Sequence, residues 1–392
     1  MTSRTRTRVS PFTIAALLTA QVGQALTFVM LGAILPQIAA YFGGGREGEM
    51  IAQQMAVFPF LGLTVGGFVS GIVISRAGLR PTALASALVY ALAGAVPLVA
   101  TTATPMLAAS FALGLAASLL TSAISGISAQ VYQGEKLAKF VSYQVALAIF
   151  SGASLGFVAA LAAGSWGWRA AFAGYVVTGL AILAIGLAGL PDGEAGGAQN
   201  EGGSALAVIR LSWPVYLLGF LSFIMITFAP TYLPFFMEER GVTDPAMRAL
   251  LLTVSTGTSF LGSVGYSQVQ GRIAQRTILT VAVALLAVAY LLYATWNGGI
   301  PAMAAAMAMA GLGGGMIIPA LFAAALSSAP QAGGQSVGFL NVAIFSGSFL
   351  TPYLLAVPRE ALGMVGLLWA FLVAILIIGA VTLRRVSGEI AS

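Results

Sequence analysis

Apolar residues occur along this chain in long continuous stretches, separated by short polar intervals. Because apolar and polar residues do not alternate at every second position, the stretches predict helices and not strands. Most reach the roughly twenty residues that a helix needs to cross the hydrocarbon core of a bilayer. We therefore predict an all-α membrane protein with twelve transmembrane helices, at about residues 12–41, 50–74, 82–101, 105–132, 140–163, 168–190, 213–237, 249–270, 277–296, 300–327, 336–357 and 361–383.

Composition supports the same class of protein. Hydrophobic residues make up 59% of the chain and charged residues 7%, whereas a soluble domain has about 25% charged residues. The chain contains no cysteine and no histidine, which excludes disulfides, thiol nucleophiles and soft-metal sites. We expect no cofactor and no enzymatic activity. The net charge of +6 is scattered between apolar stretches and forms no basic stripe, so a nucleic-acid partner is not expected.

Positive charge is unequal between the two sets of alternate polar intervals. One set carries twelve arginines and lysines, and the other carries five, which are Arg46, Arg169, Arg240, Arg248 and Arg359. Since positive charge marks cytosolic loops, both termini are predicted to be cytosolic.

The longest polar interval divides the chain nearly in half. Residues 191–212 begin with a glycine-rich stretch that has the composition of a flexible linker, and residues 204–213 could form a short surface helix or a loop. The predicted domains are an N-terminal six-helix bundle at 1–190, a cytosolic linker at 191–212 and a C-terminal six-helix bundle at 213–392. Gly66 and Arg80 are matched by Gly262 and Arg276 at a constant offset, which suggests two six-helix pseudo-repeats.

The interval between the second and third apolar stretches has the features of a tight turn. Gly78 can supply a left-handed conformation, and Pro81 suits the first turn of the next helix. Three glycines before the turn, Gly66, Gly67 and Gly71, would let a neighbouring backbone approach closely.

Four residues of this turn resemble the loop between the second and third helices of the major facilitator superfamily, namely Gly71, Arg76, Gly78 and Arg80. The family usually has an aspartate where this chain has Ser75, which implies a weaker latch to a neighbouring helix or a different partner; a simple basic turn is the alternative. Residues 35–38 (LPQI), 166–172 (WGWRAAF) and 311–319 (GLGGGMIIP) are similar to sequences of twelve-span drug and metabolite exporters. The resemblance implies two parallel six-helix repeats with substrate held between them.

All eleven acidic residues lie near segment ends or in loops. Proton-coupled exporters of the family commonly carry an aspartate and an arginine at the positions of Thr27 and Ser110 in this chain. Two accounts of energy coupling remain open. The protein could be a facilitator without a titrating group, or acids at the rim could couple transport to protons, with Glu47, Glu49, Glu238 and Glu239 as candidates. Ordinary solvated loop charges are the alternative explanation of these acids.

Polar residues within the predicted spans are the candidates for substrate contact, since lipid gives them no other partner. Aromatic residues on the same helices join them. The predicted substrate-binding residues are Gln24, Thr27, Phe28, Gln54, Phe58, Ser110, Gln144, Thr227, Tyr232, Asn341 and Phe345. Helix packing is the competing interpretation. A cavity lined by amides, hydroxyls and rings suits a neutral, zwitterionic or amphipathic molecule, and no arginine is expected within the membrane to bind an anion.

Together with these patterns, the resemblance to the major facilitator superfamily implies a monomeric, multi-pass transporter of the inner membrane. It would move a small molecule by alternating access, as a secondary active or facilitative transporter, in the direction of export. The expected partners are the small-molecule substrate and the lipid bilayer, with protons as a further partner if transport is coupled to them. The alternatives are an uncoupled uptake permease, and a lipid scramblase or structural membrane subunit.

Overall fold

The structure is a computed structural model that describes residues 10–132, 135–191, 205–270, 272–329 and 333–388. Its regular elements in these ranges are helices, with one isolated bridge between Gln270 and Ile273. The helices are α1 (Pro11–Val29), α2 (Leu35–Tyr41), α3 (Gly45–Ala77), α4 (Leu79–Val99), α5 (Ala103–Val131), α6 (Glu135–Trp166), α7 (Ala173–Gly189), α8 (Ala205–Glu239), α9 (Pro245–Val269), α10 (Gln275–Thr295), α11 (Ile300–Ser328) and α12 (Gly333–Gly388), with 3-10 helices at Gly32–Ile34 and Trp168–Phe172.

Nine helices within the described ranges are long and apolar enough to cross a membrane. Three predicted spans are not counted separately: the apolar part of α6 is shorter, at Phe150–Trp166, α9 is not among the nine, and the apolar stretch of α12 counts once, at Gln335–Ala380. The prediction of an all-helical, multi-pass membrane protein is therefore confirmed. The count of twelve spans, the pseudo-repeats and the cytosolic termini stay predictions.

The first predicted span is interrupted. After α1 the chain passes through the 3-10 turn at Gly32–Ile34 before α2 begins. Pro36 lies at the start of α2, and proline has no N–H to continue a helix from the preceding turn. A side chain at Gly32 would also meet Leu252 at 3.1 Å and the Pro230 carbonyl oxygen at 3.2 Å, so close packing accompanies the break.

The last two predicted spans meet at a different residue from the one that the polar pattern indicates. Residues 358–360, which separate the two apolar stretches, are helical. The break is at Gly363, with φ 66° and ψ 178°. Glycine alone adopts this conformation at little cost, because it has no Cβ.

Contacts group the chain into two compact units. Of the described residues, unit 1 comprises those within 1–30, 58–159 and 169–199, and unit 2 comprises those within 31–57, 160–168 and 200–392. The predicted domains 1–190 and 213–392 are a separate division of the sequence, and that division stays a prediction. Most of the predicted linker, residues 192–204, lies outside the described residues. α8 begins at Ala205, so the segment predicted as a short surface helix or a loop is, from residue 205 onward, the first part of α8.

In unit 1, α4 packs against α5 and α7, and α1 packs against α5 and α7. Glycine brings α3 and α5 together: a Cβ at Gly62 would collide with the Phe111 carbonyl, and one at Gly114 with the Pro59 carbonyl. Gly66 also fits the predicted close approach, with Ser118 Cβ 2.6 Å from an added Cβ. The prediction is wrong for Gly67 and Gly71, where an added Cβ meets nothing within 4 Å.

In unit 2, α9 packs against α11, α8 against α12, and α10 against both α11 and α12. Glycines again set the closest contact, since Gly262, Gly311 and Gly315 have no room for a Cβ against the facing backbone of α9 or α11. The core of the unit is aromatic: Phe228 stacks on Tyr232 with centroids 5.1 Å apart and meets Phe371 edge-on at 4.9 Å.

Candidate functional site

The turn between α3 and α4 has the predicted backbone. Gly78 has φ 88°, and Pro81 lies in the first turn of α4. Arg80 donates from Nη2 to the Leu187 carbonyl of α7 at 3.3 Å. The Ser75 hydroxyl instead donates to Ile72 of its own helix at 2.9 Å. In this turn the arginine, and not the residue at the aspartate position, reaches a neighbouring helix; Gly71 and Arg76 are exposed.

Thr27 is buried in unit 1 within a small hydroxyl cluster. Its hydroxyl donates to the Gly23 carbonyl at 2.8 Å, and the Tyr90 hydroxyl donates to the same carbonyl at 2.7 Å. The two hydroxyl oxygens are 3.3 Å apart. Sequence reasoning did not single out Tyr90, which joins α4 to α1 through this carbonyl.

Gln24 and Phe28 are half-buried one helical turn apart on α1. The Gln24 side-chain oxygen accepts a hydrogen bond from the Thr121 hydroxyl of α5 at 3.2 Å. The ring of Phe28 lies 5.4 Å from that of Phe60, and Phe58 is half-buried on the same helix as Phe60. These contacts leave part of each candidate side chain accessible, as a role in substrate contact requires.

Gln144 and Ser110 are buried candidates with different surroundings. Gln144 donates from Nε2 to the Leu17 carbonyl at 2.7 Å and lies 3.5 Å from the Ser128 hydroxyl, so it ties α6 to α1 and α5. The contacts of Gln144 favour the packing interpretation. The Ser110 hydroxyl is buried without a hydrogen-bond partner, which is uncommon because a buried polar group normally pays for its desolvation with a bond.

In unit 2, the candidates on α8 and α12 are connected by hydroxyls. Thr227 donates to Ser348 at 2.8 Å. Asn341 and Phe345, both half-buried, precede Ser348 on α12 by seven and three residues, a spacing that places all three on one face of a helix. Thr227 thus contacts α12 through Ser348, and helical spacing places Asn341 and Phe345 on the same face of α12.

The two adjacent glutamines of α3 have different environments. Gln53 is buried and donates to the Thr231 carbonyl of α8 at 3.4 Å. Gln54 is half-buried and lies near the Tyr353 hydroxyl of α12. Gln54 is thus the more accessible of the pair, and Tyr353 is a neighbour that the sequence pattern did not indicate.

Tyr232 lies between the aromatic core and a charged cluster. One side of its ring stacks on Phe228, and the Arg359 guanidinium lies 5.4 Å from its centroid. The Tyr232 hydroxyl is 3.4 Å from the Pro352 carbonyl oxygen, to which it donates. Full burial makes Tyr232 a support for Arg359 more than a surface for substrate.

Charged side chains join α3, α8 and α12 in unit 2. Glu49 pairs with Arg359, with side chains that are 22% and 20% exposed, and Arg359 Nη2 lies 3.9 Å from Glu239. A second pair on the same two helices, Arg46 with Glu360 at 2.5 Å, is about 60% exposed. Of the predicted rim acids, Glu49 is the one with a largely covered ion pair.

Arg248 is an arginine that is buried inside the protein, whereas the expectation that no arginine lies within the membrane to bind an anion stays a prediction. It is the fourth residue of α9 and is fully buried. Nε donates to the Ala33 carbonyl at 3.0 Å and Nη1 to the Val242 carbonyl at 3.2 Å, while the Glu238 carboxylate is 3.8 Å away. The sequence did signal that residue 248 is helical, because Asp244 and Pro245 are a helix start, but it gave no signal that the Arg248 side chain is buried.

A family model for the Major Facilitator Superfamily matches residues 17–352 of the sequence. The chain belongs to this superfamily. A search of curated proteins finds no match. Among solved structures, two crystal structures of a mutant of the peptide transporter POT, one of them in complex with sulfate, each superpose with a TM-score of 0.76 and 12% identity, covering 95% of this chain and 94% of theirs.

At this identity the POT structures establish the fold alone. Membership of the Major Facilitator Superfamily makes the protein a membrane transporter in kind, whereas the drug-exporter resemblance and the predicted site residues stay predictions. Sequence reasoning missed two residues that contact its candidates, namely Tyr90, which donates to the same Gly23 carbonyl as Thr27, and Arg359, which pairs with Glu49.

Proposed function

We propose that this superfamily member is a monomeric secondary transporter that exports a neutral, zwitterionic or amphipathic small molecule by alternating access. The observation that carries this proposal is the contrast between neutral and charged side chains. The half-buried candidates Gln24, Gln54 and Asn341 offer amides. An anionic substrate would instead have to compete with Glu49 for Arg359, or displace the protein atoms that cover Arg248.

The direction and the membrane rest on the sequence. Export is supported by the similarity of residues 35–38 and 166–172 to drug and metabolite exporters. The inner membrane, with both termini in the cytosol, is supported by the distribution of positive charge.

Counterflow in proteoliposomes tests the transport proposal. Vesicles preloaded with each member of a panel of amphiphiles, sugars and zwitterionic metabolites receive a trace of the same labelled compound outside. We expect transient accumulation of the label for at least one compound, with and without an imposed proton gradient. Failure with every compound, combined with rapid flipping of a fluorescent lipid in the same vesicles, would instead support the lipid scramblase.

The adjacent glutamines of α3 provide a matched pair for locating the substrate. Gln54→Ala is expected to raise the KM for the transported compound, because Gln54 is partly accessible beside Tyr353. Gln53→Ala should lower stability and leave KM unchanged, since the Gln53 amide is buried against α8. Equal effects of the two variants on KM would remove Gln54 from the site.

A further inference from the structure

The ion pair between Glu49 and Arg359 differs from the other pair on the same two helices. Both pairs connect α3 with α12. Glu49 and Arg359 are about one-fifth exposed, whereas Arg46 and Glu360 are about three-fifths exposed. Charges that are withdrawn from water interact more strongly and respond more to the loss of one partner than charges on the surface.

Arg359 has a second set of neighbours on α8. Glu239 lies 3.9 Å from its Nη2 atom, and the Tyr232 ring lies 5.4 Å from its Cζ atom. Both can hold a guanidinium, one by charge and one by a cation–π contact. Arg359 therefore keeps favourable partners on α8 if Glu49 loses its charge. Protonation of Glu49 would let the guanidinium pair with Glu239, so that Arg359 is not left without a carboxylate partner.

The titratable and charged groups around Glu49 come from each helix of this cluster. Arg359, Glu360 and the Tyr353 hydroxyl belong to α12, Glu239 and Tyr232 belong to α8, and Arg46 is on α3 itself. Of the two carboxylates near Arg359, Glu49 is closer to the guanidinium than Glu239 is, and its side chain is less exposed. Its protonation would therefore alter the contact between α3 and α12 more than protonation of Glu239 or Glu360.

We propose that Glu49 is a proton-binding site whose protonation releases Arg359 and loosens α3 from α12. This assignment rests on the proposed transport function and makes Glu49 the group that couples it to protons. Glu49 takes one proton from water and becomes neutral. Arg359 remains a cation and passes to Glu239, so the cluster gains one positive charge in the step.

Distance measurements between spin labels test this switch without a substrate. Because the chain has no cysteine, the exposed residues Glu47 on α3 and Leu362 on α12 can be replaced by cysteine and labelled in the full-length protein. The distance distribution is then recorded at about pH 8 and about pH 3, between which carboxylates in water pass from ionised to protonated. We expect a second population at low pH, longer by about 5 Å, the scale of one helical turn.

Two variants decide whether Glu49 is responsible. Glu49→Gln in the labelled background should show the longer distance at both pH values, because glutamine mimics the protonated side chain. The matched control Glu360→Gln removes the exposed carboxylate of the other pair, and it should keep the response of the parent protein. Thermal unfolding of Glu49→Gln in detergent, with a midpoint close to that of the parent protein, checks that its altered distance is not a failure to fold.

The outcomes separate the switch from the transport function. A distance distribution that is independent of pH, or a pH response that persists in Glu49→Gln, would overturn the assignment of Glu49, whereas counterflow could still occur in an uncoupled facilitator. A pH response that is present in the parent protein and absent in Glu49→Gln would support the switch even if no compound of the panel were transported. The absence of transport would count against the transport proposal and not against the switch.

Discussion

The polar interiors of the two units differ in charge. In unit 1 the fully buried hydrogen bonds described above are made by neutral groups, such as Thr27 and Tyr90 on the Gly23 carbonyl, and Arg169 donates from a partly buried position to the Ala100 carbonyl. In unit 2 the polar contacts include charged groups, Arg248 on two backbone carbonyls and Arg359 on Glu49. Neutral hydrogen bonds change little with pH, whereas an ion pair is lost when one partner is neutralised. The comparison suggests that pH acts on the carboxylate–arginine pairs of unit 2, whereas the arginines described in unit 1 bind backbone carbonyls, which do not titrate.

The largest effect is expected at Arg248. Arg248→Met removes the donors to the Ala33 and Val242 carbonyls and should lower the free energy of unfolding by about 3 kcal/mol, since hydrogen bonds from a charged group contribute about 1.5 to 3 kcal/mol each. Thermal unfolding in detergent measures this change. Arg272→Met, at an exposed position, is the control. Unchanged or increased stability of Arg248→Met would mean that desolvation of the cation outweighs its two bonds.

The next effect concerns energy coupling. Glu49→Gln should reduce the accumulation that a proton gradient drives by about tenfold, which corresponds to about 1.4 kcal/mol, because the neutral side chain no longer binds a proton. Exchange of the same compound without a gradient should persist. Uptake with and without an imposed gradient measures both quantities. Gradient-driven accumulation in Glu49→Gln at the level of the parent protein would place coupling elsewhere.

Two neighbouring tyrosines test the neutral interior of unit 1. Tyr90→Phe removes the hydroxyl that donates to Gly23 and should cost about 1 kcal/mol, the usual net contribution of such a bond. The Tyr175 hydroxyl is buried without a hydrogen-bond partner, so Tyr175→Phe should leave stability unchanged or raise it slightly. Chemical denaturation of both variants at two pH values would give this order at each value. A strong pH dependence of the Tyr90→Phe effect would weaken the contrast between the units.

The smallest effect on stability is expected at Ser110. Because its hydroxyl is buried without a partner, Ser110→Ala should change the free energy of unfolding by about zero. A role in substrate contact would then appear separately, as a raised KM in the transport assay. A clear loss of stability in Ser110→Ala would show that the hydroxyl does contribute to packing.

The helices and several of their contacts could be predicted from sequence because their causes are local. Continuous apolar stretches predicted the helical membrane fold, and Gly66 and Gly78 behave as glycines in a helix contact and a turn do. Gly67 and Gly71 do not, because a glycine-rich stretch does not reveal which face of α3 meets a neighbour. That information lies in α5, where Gly114 faces Pro59.

The charged cluster could not be predicted in the same way. Glu49 and Arg359 are separated by 310 positions. Both lie in polar intervals between the predicted spans, where a charged side chain normally contacts water. Their pairing depends on where α3 and α12 meet in unit 2. Arg248 is a different case, since the helix start at Asp244 and Pro245 indicates that residue 248 lies inside α9 and not in a loop.

The backbone break at Gly363 makes the packing of the following helix sensitive to inserted residues. One residue makes the break within α12, so no loop is available to absorb an insertion. Each residue added after Gly363 would rotate the following helix by about 100° relative to its neighbours, since a helix has 3.6 residues per turn. The buried side chains Leu367, Leu368 and Phe371 would then turn toward lipid. Length at this point is therefore as tightly specified as the identity of any core residue.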